Sequence, residues 1–544
     1  MRSRTQLIRT ALAVTAAFGA TAAAAMAPPS PPPAPPPRLL VVIAVDQLSA
    51  DLFEAYRPQF TGGLARLAGG AWFRNGYQSH AGTETCPGHS TLLTGFRPAA
   101  TGIVGNAWVD QSAGKGVYCA EDPSAGASPS SDYTVSPVQL KVPTLGELLR
   151  TARPGAKSVA VAGKDRAAVM MGGHALDQRW YWARGAFATD LGGPTPQSVV
   201  RANAELAAAI GTERKALVPP PFCAGKARPV TLGDGRVVGA GGLARAAGDT
   251  DGFRASPEYD AAVLALAAGL VDELQLGADA TPDLLTISLS ATDYVGHAYG
   301  SGGQEMCLQL LSLDRDLGNF FARLDRQGLD FAVVLSADHG GLDIPERLRL
   351  RGIPTAAWAD PALDAAAVGK SIAEKLGLAG RVLRGGAGGD IWLDPSLGPR
   401  ERARALNEAL AIYRAHPQVQ AAYTGRQIGR TPPPRGAPDK WTLLERARAS
   451  FYPGRSGDIL VILKPYVTFL PLAGGDAGTH GSPWDYDRRV PIAFWRKGMA
   501  PALREEPVET VDIMPTLAAL LGLRAPHADG RCLRDVAGVA CPRR

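Results

Sequence analysis

The chain predicts an α/β protein built on a doubly wound, mostly parallel sheet. Three observations carry that reading. Short apolar runs rich in Val, Ile and Leu recur along the chain, helical periodicities separate several of them, and acidic or histidine residues stand where runs end.

The strands read, in order, as RLLVVIAV (38–45), KSVAVAG (157–163), DLLTISLS (283–290), DFAVVLSA (330–337), DILVILK (458–464) and VPIAFW (490–495). The first is apolar at nearly every position, the pattern of a strand covered on both faces. EYDAAVLALAAGLVDEL (258–274) and MCLQLLSLDRDLGNFFARLDRQG (306–328) read as helices. Residues 100–155 and 180–255, rich in Gly, Pro, Ser and Trp, and 345–455, with helix signals and TPPPRGAP, break the alternation. They are expected to be insertions that cap the sheet edge within one domain, 38–544. No internal repeat is evident.

The first 27 residues carry three arginines, an Ala-rich apolar run and Ala25-Met26-Ala27, the layout of a cleaved signal peptide. An uncleaved anchor fits less well, because the run is short and alanine-heavy where a bilayer span needs about 20 strongly apolar residues. PPSPPPAPPP (28–37) is a polyproline-type spacer. An exported protein, periplasmic or secreted and without stable membrane insertion, is therefore expected, and a monomer is favoured. Export suits the six cysteines: Cys532 and Cys541 are close enough to close a terminal loop, and Cys119 and Cys223 are candidates for a second bridge. Cys86 and Cys307 fit buried thiols equally well. The formal charge of +6 falls by three, to +3, once Arg2, Arg4 and Arg9 leave with the leader. So mild a charge, with scattered basic residues, lends little to a nucleic-acid partner.

In a doubly wound sheet ligands bind outside the carboxyl ends of the strands. There the chain places Asp46, then Asp293 and His297 (ATDYVGH), then Asp338 and His339 (ADHG). Each alone fits a turn or a helix cap; together they fall at strand ends too regularly for that. Gly340 and Gly341 point to a close backbone approach. With His480 in GTHGS, three Asp and three His suffice for two zinc ions, the usual clamp for in-line phosphoryl displacement. The nucleophile comes from GTETCPGHSTLLTG (82–95): Pro87 suits a first helical turn, which puts Thr85 where free N–H groups and the helix dipole favour an anion. Asn106, in GIVGNAW, offers a neutral donor. Lys164 and Arg166, in GKDRAA, place two cations at another strand end, fit for phosphate.

DQLSADLF, TETCPGHSTLLTG, TGIVGNAW, KDR, DYVGH, SADHG and GTHGSPWDYDRRVPI, in order from about Val41 to Leu521, together resemble the alkaline phosphatase superfamily. More closely they resemble its exported threonine-nucleophile alkaline phosphatases, the phosphate-irrepressible type. The resemblance implies one zinc on Asp293, His297 and His480 and a second on Asp46, Asp338 and His339, with Thr85 bridging toward the second. It implies that Asn106, Lys164 and Arg166 hold the phosphate oxygens, and that phosphate monoesters are cleaved through a phosphothreonine with broad specificity, for phosphate scavenging. Diesterases and nucleotide pyrophosphatases of the superfamily share the six ligands but lack the Lys-x-Arg pair, so that alternative stands second, and a non-catalytic phosphate- or metal-binding protein third. A sulfatase would need a C-x-P-x-R motif, and Cys86-Pro87-Gly88-His89 has neither its spacing nor its arginine. A magnesium-assisted serine-type phosphatase would need more acids near the nucleophile than Glu84. His80, His89, His174, His416 and His527 read as structural or surface residues; His89, one turn after Thr85, could orient a neighbouring group. YWARGAF (181–187) suits either a cap lining or packing.

Overall fold

Because residues 39 to 45 are apolar on both sides of the strand, both faces must be covered, and Leu39–Val45 lies at the centre of the sheet. Leu39, Val41, Ile43 and Val45 point into one core and Leu40, Val42 and Ala44 into another. The computed structural model describes residues 35–128, 131–469, 475–525, 527–537 and 540–542. The expected leader and most of the spacer lie outside these residues. Residues 36–544 form one compact unit.

The main sheet has ten strands. Phe331–Ser336, Leu39–Val45, Asp283–Leu289, Ser158–Ala162 and Gln178–Ala183 are adjacent and parallel. Arg489–Arg496 and Ala71–Tyr77 extend it antiparallel. Helices Pro257–Leu274 and Gln304–Arg326 cover one face, and Thr85–Thr94, Leu145–Ala152 and Ile513–Leu520 the other. This is the expected doubly wound, mostly parallel architecture. Among the described residues, no helix is long and apolar enough to cross a membrane.

Some sequence readings change. Ile459–Leu463 is not in the main sheet: it pairs antiparallel with Gly389–Leu393 and Val419–Thr424 in a separate four-stranded sheet. That sheet, with helices Ala365–Leu376 and Pro399–Ala415, encloses its own core. An apolar run reports burial, not the sheet that buries it. Within 100–155, Leu145 and Leu149 pack against the main sheet, and within 180–255 the helix Gln197–Gly211 does so through Val199 and Leu206. The alanine-rich helix Gln197–Gly211, with few large apolar residues, hides such a face. Trp182 stacks on Phe253 and meets Tyr259 edge-on, so part of YWARGAF is packing. The strand Ala71–Tyr77 escaped notice because Arg74-Asn75-Gly76 interrupts its apolar run.

The cysteines also pair differently. Cys532–Cys541 forms as expected, but Cys119 bonds Cys86 and Cys223 bonds Cys307. Cys119 closes the hairpin Ala107–Asp110/Lys115–Tyr118, and its N–H donates to the Asn106 carbonyl at 3.0 Å. The bridge therefore ties that hairpin to the helix beginning at Thr85.

The double replacement Cys86→Ala/Cys119→Ala is expected to lower the free energy of unfolding by about 2–5 kcal/mol, the usual worth of a native bridge. Equilibrium denaturation against the oxidised parent measures it, and a loss below about 0.5 kcal/mol would show that the hairpin is held by packing alone.

Candidate active site

Parallel strands paired in register end at one level, so the residues that follow them converge. Asp46 follows Leu39–Val45, Asp338 and His339 follow Phe331–Ser336, and Asp293 and His297 lie on the helix Ala291–Tyr299 after Asp283–Leu289. Lys164 caps the helix Asp165–Gly172 after Ser158–Ala162. His480 reaches the same point from a loop and stacks on His339, ring centroids 3.5 Å apart. Gly88 shows how tightly the helix Thr85–Thr94 fits: a Cβ there would lie 2.0 Å from the Asp338 carbonyl oxygen. Gly340 is forced likewise, by the Tyr486 carbonyl oxygen at 2.2 Å.

Single donor atoms of Asp293, His297 and His480 lie within 4.8 Å of one another, and those of Asp46, His89 and Asp338 do the same. His339 Nε2 stands 3.2 Å from Asp338 Oδ2. The hydrogen bonding separates ligands from supports. His297, His339 and His480 each direct Nδ1 at a backbone carbonyl, of Gly478, Gly340 and Thr83, at 2.8–2.9 Å. A carbonyl only accepts, so Nδ1 donates, and the lone pair of a neutral ring is left on Nε2. His297 Nε2 faces Asp293 Oδ1 at 3.3 Å, while Asp293 Oδ1, Asp338 Oδ2 and His339 Nε2 are buried without a hydrogen-bond partner. Orphaned acceptors that face one another call for a cation. The donor set fits metal ions.

His89 is the exception. Its Nδ1 lies 2.9 Å from the Thr85 carbonyl and its Nε2 3.0 Å from Ser288 Oγ, whose hydroxyl donates to Asp46 Oδ1 at 3.0 Å. Both ring nitrogens therefore donate, and His89 is an imidazolium with no lone pair for a metal. Burial opposes that charge, but Asp338 and Asp46 overcome it and raise the pKa to about 10. Sequence singled out His89 only as a possible orienting group. The serines Ser288 and Ser290, each donating to Asp46, escaped it, although they stand alternately at the strand's polar end.

Thr85 opens its helix as expected, but the helix end offers fewer donors than anticipated. The Cys86 N–H donates to Asn106 Oδ1 at 2.8 Å and Pro87 has none. Asn106 is fixed from the other side too, its own N–H donating to Glu84 Oε2 at 2.7 Å. With Oδ1 engaged as an acceptor, the amide keeps Nδ2 as its donor. Arg166 NH2 lies 3.5 Å from Thr85 Oγ1 and NH1 3.4 Å from the Tyr118 hydroxyl. Tyr118 and Tyr133 both donate to Asp165, so the hairpin that carries Asn106 also steadies the arginine. Lys164 Nζ sits 2.5 Å from Asp293 Oδ2 and 2.9 Å from Asp46 Oδ2. Burial would raise the Asp293 pKa, yet Lys164 and then His297 hold it well below the ordinary value.

An α/β sheet that brings buried acid and imidazole donors, a hydroxyl and two cations to its carboxyl edge defines a metal-dependent phosphoryl-transfer hydrolase of the alkaline phosphatase-like fold. The type I phosphodiesterase / nucleotide pyrophosphatase family model matches residues 40–483, and the chain belongs to that family. It is 51% identical over 513 residues to alkaline phosphatase PhoK of a Sphingomonas species, across 92% of this chain and 91% of the relative. It is 46% identical to alkaline phosphatase PhoD of Zymomonas mobilis, across 91% and 87% of the two chains. The crystal structure of wild-type alkaline phosphatase PafA is similar at 25% identity with a TM-score of 0.82, over 93% of this chain and 100% of that one.

Titration of the metal-free chain with a divalent ion, followed by elemental analysis, is expected to yield two equivalents bound, and one after Asp293→Ala. Binding to the folded state should raise thermal stability by about 4 kcal/mol at a thousandfold excess over Kd. No shift in melting temperature and less than one equivalent bound would contradict the assignment.

Proposed function

We infer that this chain is an alkaline phosphatase that hydrolyses phosphate monoesters at Thr85, with two zinc ions as its resident metals. The carrying observation is the pair of cations at the site, Arg166 beside Thr85 and Lys164 between Asp293 and Asp46: a monoester presents three non-bridging oxygens of high charge, and a site rich in cations discriminates in its favour. The family takes its name from diesterases, but the relatives with 51% and 46% identity are named alkaline phosphatases.

Asp293, His297 and His480 would hold one zinc and Asp46, Asp338 and His339 the other. When bound, the metals supply Lewis acidity, which makes the Thr85 hydroxyl a better nucleophile and steadies the departing oxygen. Arg166 binds two phosphate oxygens as a fork, Lys164 binds as a point charge, and Asn106 donates from Nδ2. Thr85 Oγ1 forms a bond to phosphorus as the ester P–O bond breaks and the alcohol leaves with a proton. Water then forms the next P–O bond, the phosphothreonine bond breaks, inorganic phosphate departs and Thr85 regains its proton. His89 anchors the carbonyl of Thr85 and, through Ser288, the carboxylate of Asp46, so nucleophile and ligand keep one spacing.

We place the mature protein outside the cytoplasm, in the periplasm or secreted, where it would release phosphate for uptake. The signal-peptide pattern supports this, as do the three disulfides, which pair all six cysteines.

The test compares kcat/KM for a nitrophenyl monoester and a bis-nitrophenyl diester. A large ratio favouring the monoester is expected, collapsing at least 100-fold in Lys164→Ala/Arg166→Ala, about 2.7 kcal/mol of transition-state stabilisation. A parent ratio near or below one would replace this reading with the diesterase. Thr85→Ala should abolish turnover while both metals remain bound.

A further inference from the structure

Where the separate four-stranded sheet faces the segments around Glu84 and Ala107 lies a cavity of about 210 Å³. Its near wall includes Glu84, Ala107 and Gly481, the chain neighbours of Thr85, Asn106 and His480. Its far wall includes Asp390, Phe451 and Phe469. The residues lining it include no lysine, arginine or histidine.

We propose that this cavity is the leaving-group subsite, and that it selects small alcohols that are cationic over those that are anionic, amino-alcohol phosphates above all. The proposal rests on the phosphomonoesterase reading. Three features of the cavity support it. Adjacency to Thr85, Asn106 and His480 places it where the ester oxygen departs. Its volume falls below the roughly 300–1,000 Å³ of pockets for drug-sized ligands, which suits an alcohol of a few atoms. The Asp390 carboxylate and the aromatic faces of Phe451 and Phe469 attract an ammonium group and repel a carboxylate substituent. Burial raises the Asp390 pKa to about 7, with the Gly457 N–H opposing it, so at alkaline pH the residue is ionised.

The experiment measures kcat/KM of the zinc-loaded mature protein on O-phosphoethanolamine, ethyl phosphate and 2-phosphoglycolate, three esters of similar size. In the parent, phosphoethanolamine should exceed phosphoglycolate. Asp390→Asn should shrink that ratio by about threefold to fivefold, the scale of a partly exposed charge pair, leaving ethyl phosphate hydrolysis and inhibition by inorganic phosphate within about twofold. Because ratios are compared between proteins, the intrinsic reactivities of the alcohols cancel. Ala107→Trp, at an exposed position on the rim, should raise KM for ethyl phosphate and phosphoethanolamine without changing inhibition by inorganic phosphate. A parent ratio below one, or a ratio that Asp390→Asn leaves unchanged, overturns the subsite while ethyl phosphate hydrolysis keeps the phosphatase reading intact. Hydrolysis of none of the three esters overturns that reading and the subsite with it.

Discussion

Three carboxylates buried at the end of one sheet must be compensated, and much of the site follows from that constraint. Asp46, Asp293 and Asp338 are almost wholly excluded from solvent, where an unpaired charge costs several kcal/mol. The protein supplies part of the answer: Lys164 bridges Asp293 and Asp46, and the His89 imidazolium stands between Asp46 and Asp338. Asp293 Oδ1, Asp338 Oδ2 and His339 Nε2 keep no hydrogen-bond partner, and metal ions would supply the rest there.

That division explains the differing roles of chemically similar residues. A histidine whose Nδ1 is held by a carbonyl keeps Nε2 for a metal; one whose two nitrogens both donate becomes a fixed positive charge. His339 and His89 are both buried beside Asp338, yet only the first has a lone pair to offer. Each ring bonds a nearby carbonyl through Nδ1, so the distinction lies in Nε2, which in His89 meets Ser288, 199 residues away along the chain.

The hairpin after the helix Thr85–Thr94 carries a second layer of organisation. Through Cys86–Cys119, the Asn106–Cys86 bond and the Tyr118–Asp165–Arg166 cluster, one short insertion sets the neutral donor and the arginine relative to Thr85. The separate antiparallel sheet supplies the opposite wall of the neighbouring cavity, so residues outside the main sheet shape what lies next to the reacting group.

The sequence alone determined the parallel core, because strands covered on both faces must be apolar throughout, and it marked Asp46, Asp293, His297, Asp338, His339, Lys164 and Arg166, because a doubly wound sheet gathers whatever follows its strands. The helix start at Thr85 was legible from Pro87, which suits a first helical turn. Tertiary structure decided the rest. Cys86 could not be matched to Cys119, nor Ile459–Leu463 assigned to its own sheet, since an apolar run or a thiol carries no label for its partner. The imidazolium state of His89, the serines on Asp46 and the acidic wall made by Glu84 and Asp390 arise from contacts across long loops. Local sequence sets what a residue can donate or accept; only the packed chain sets which partner it meets.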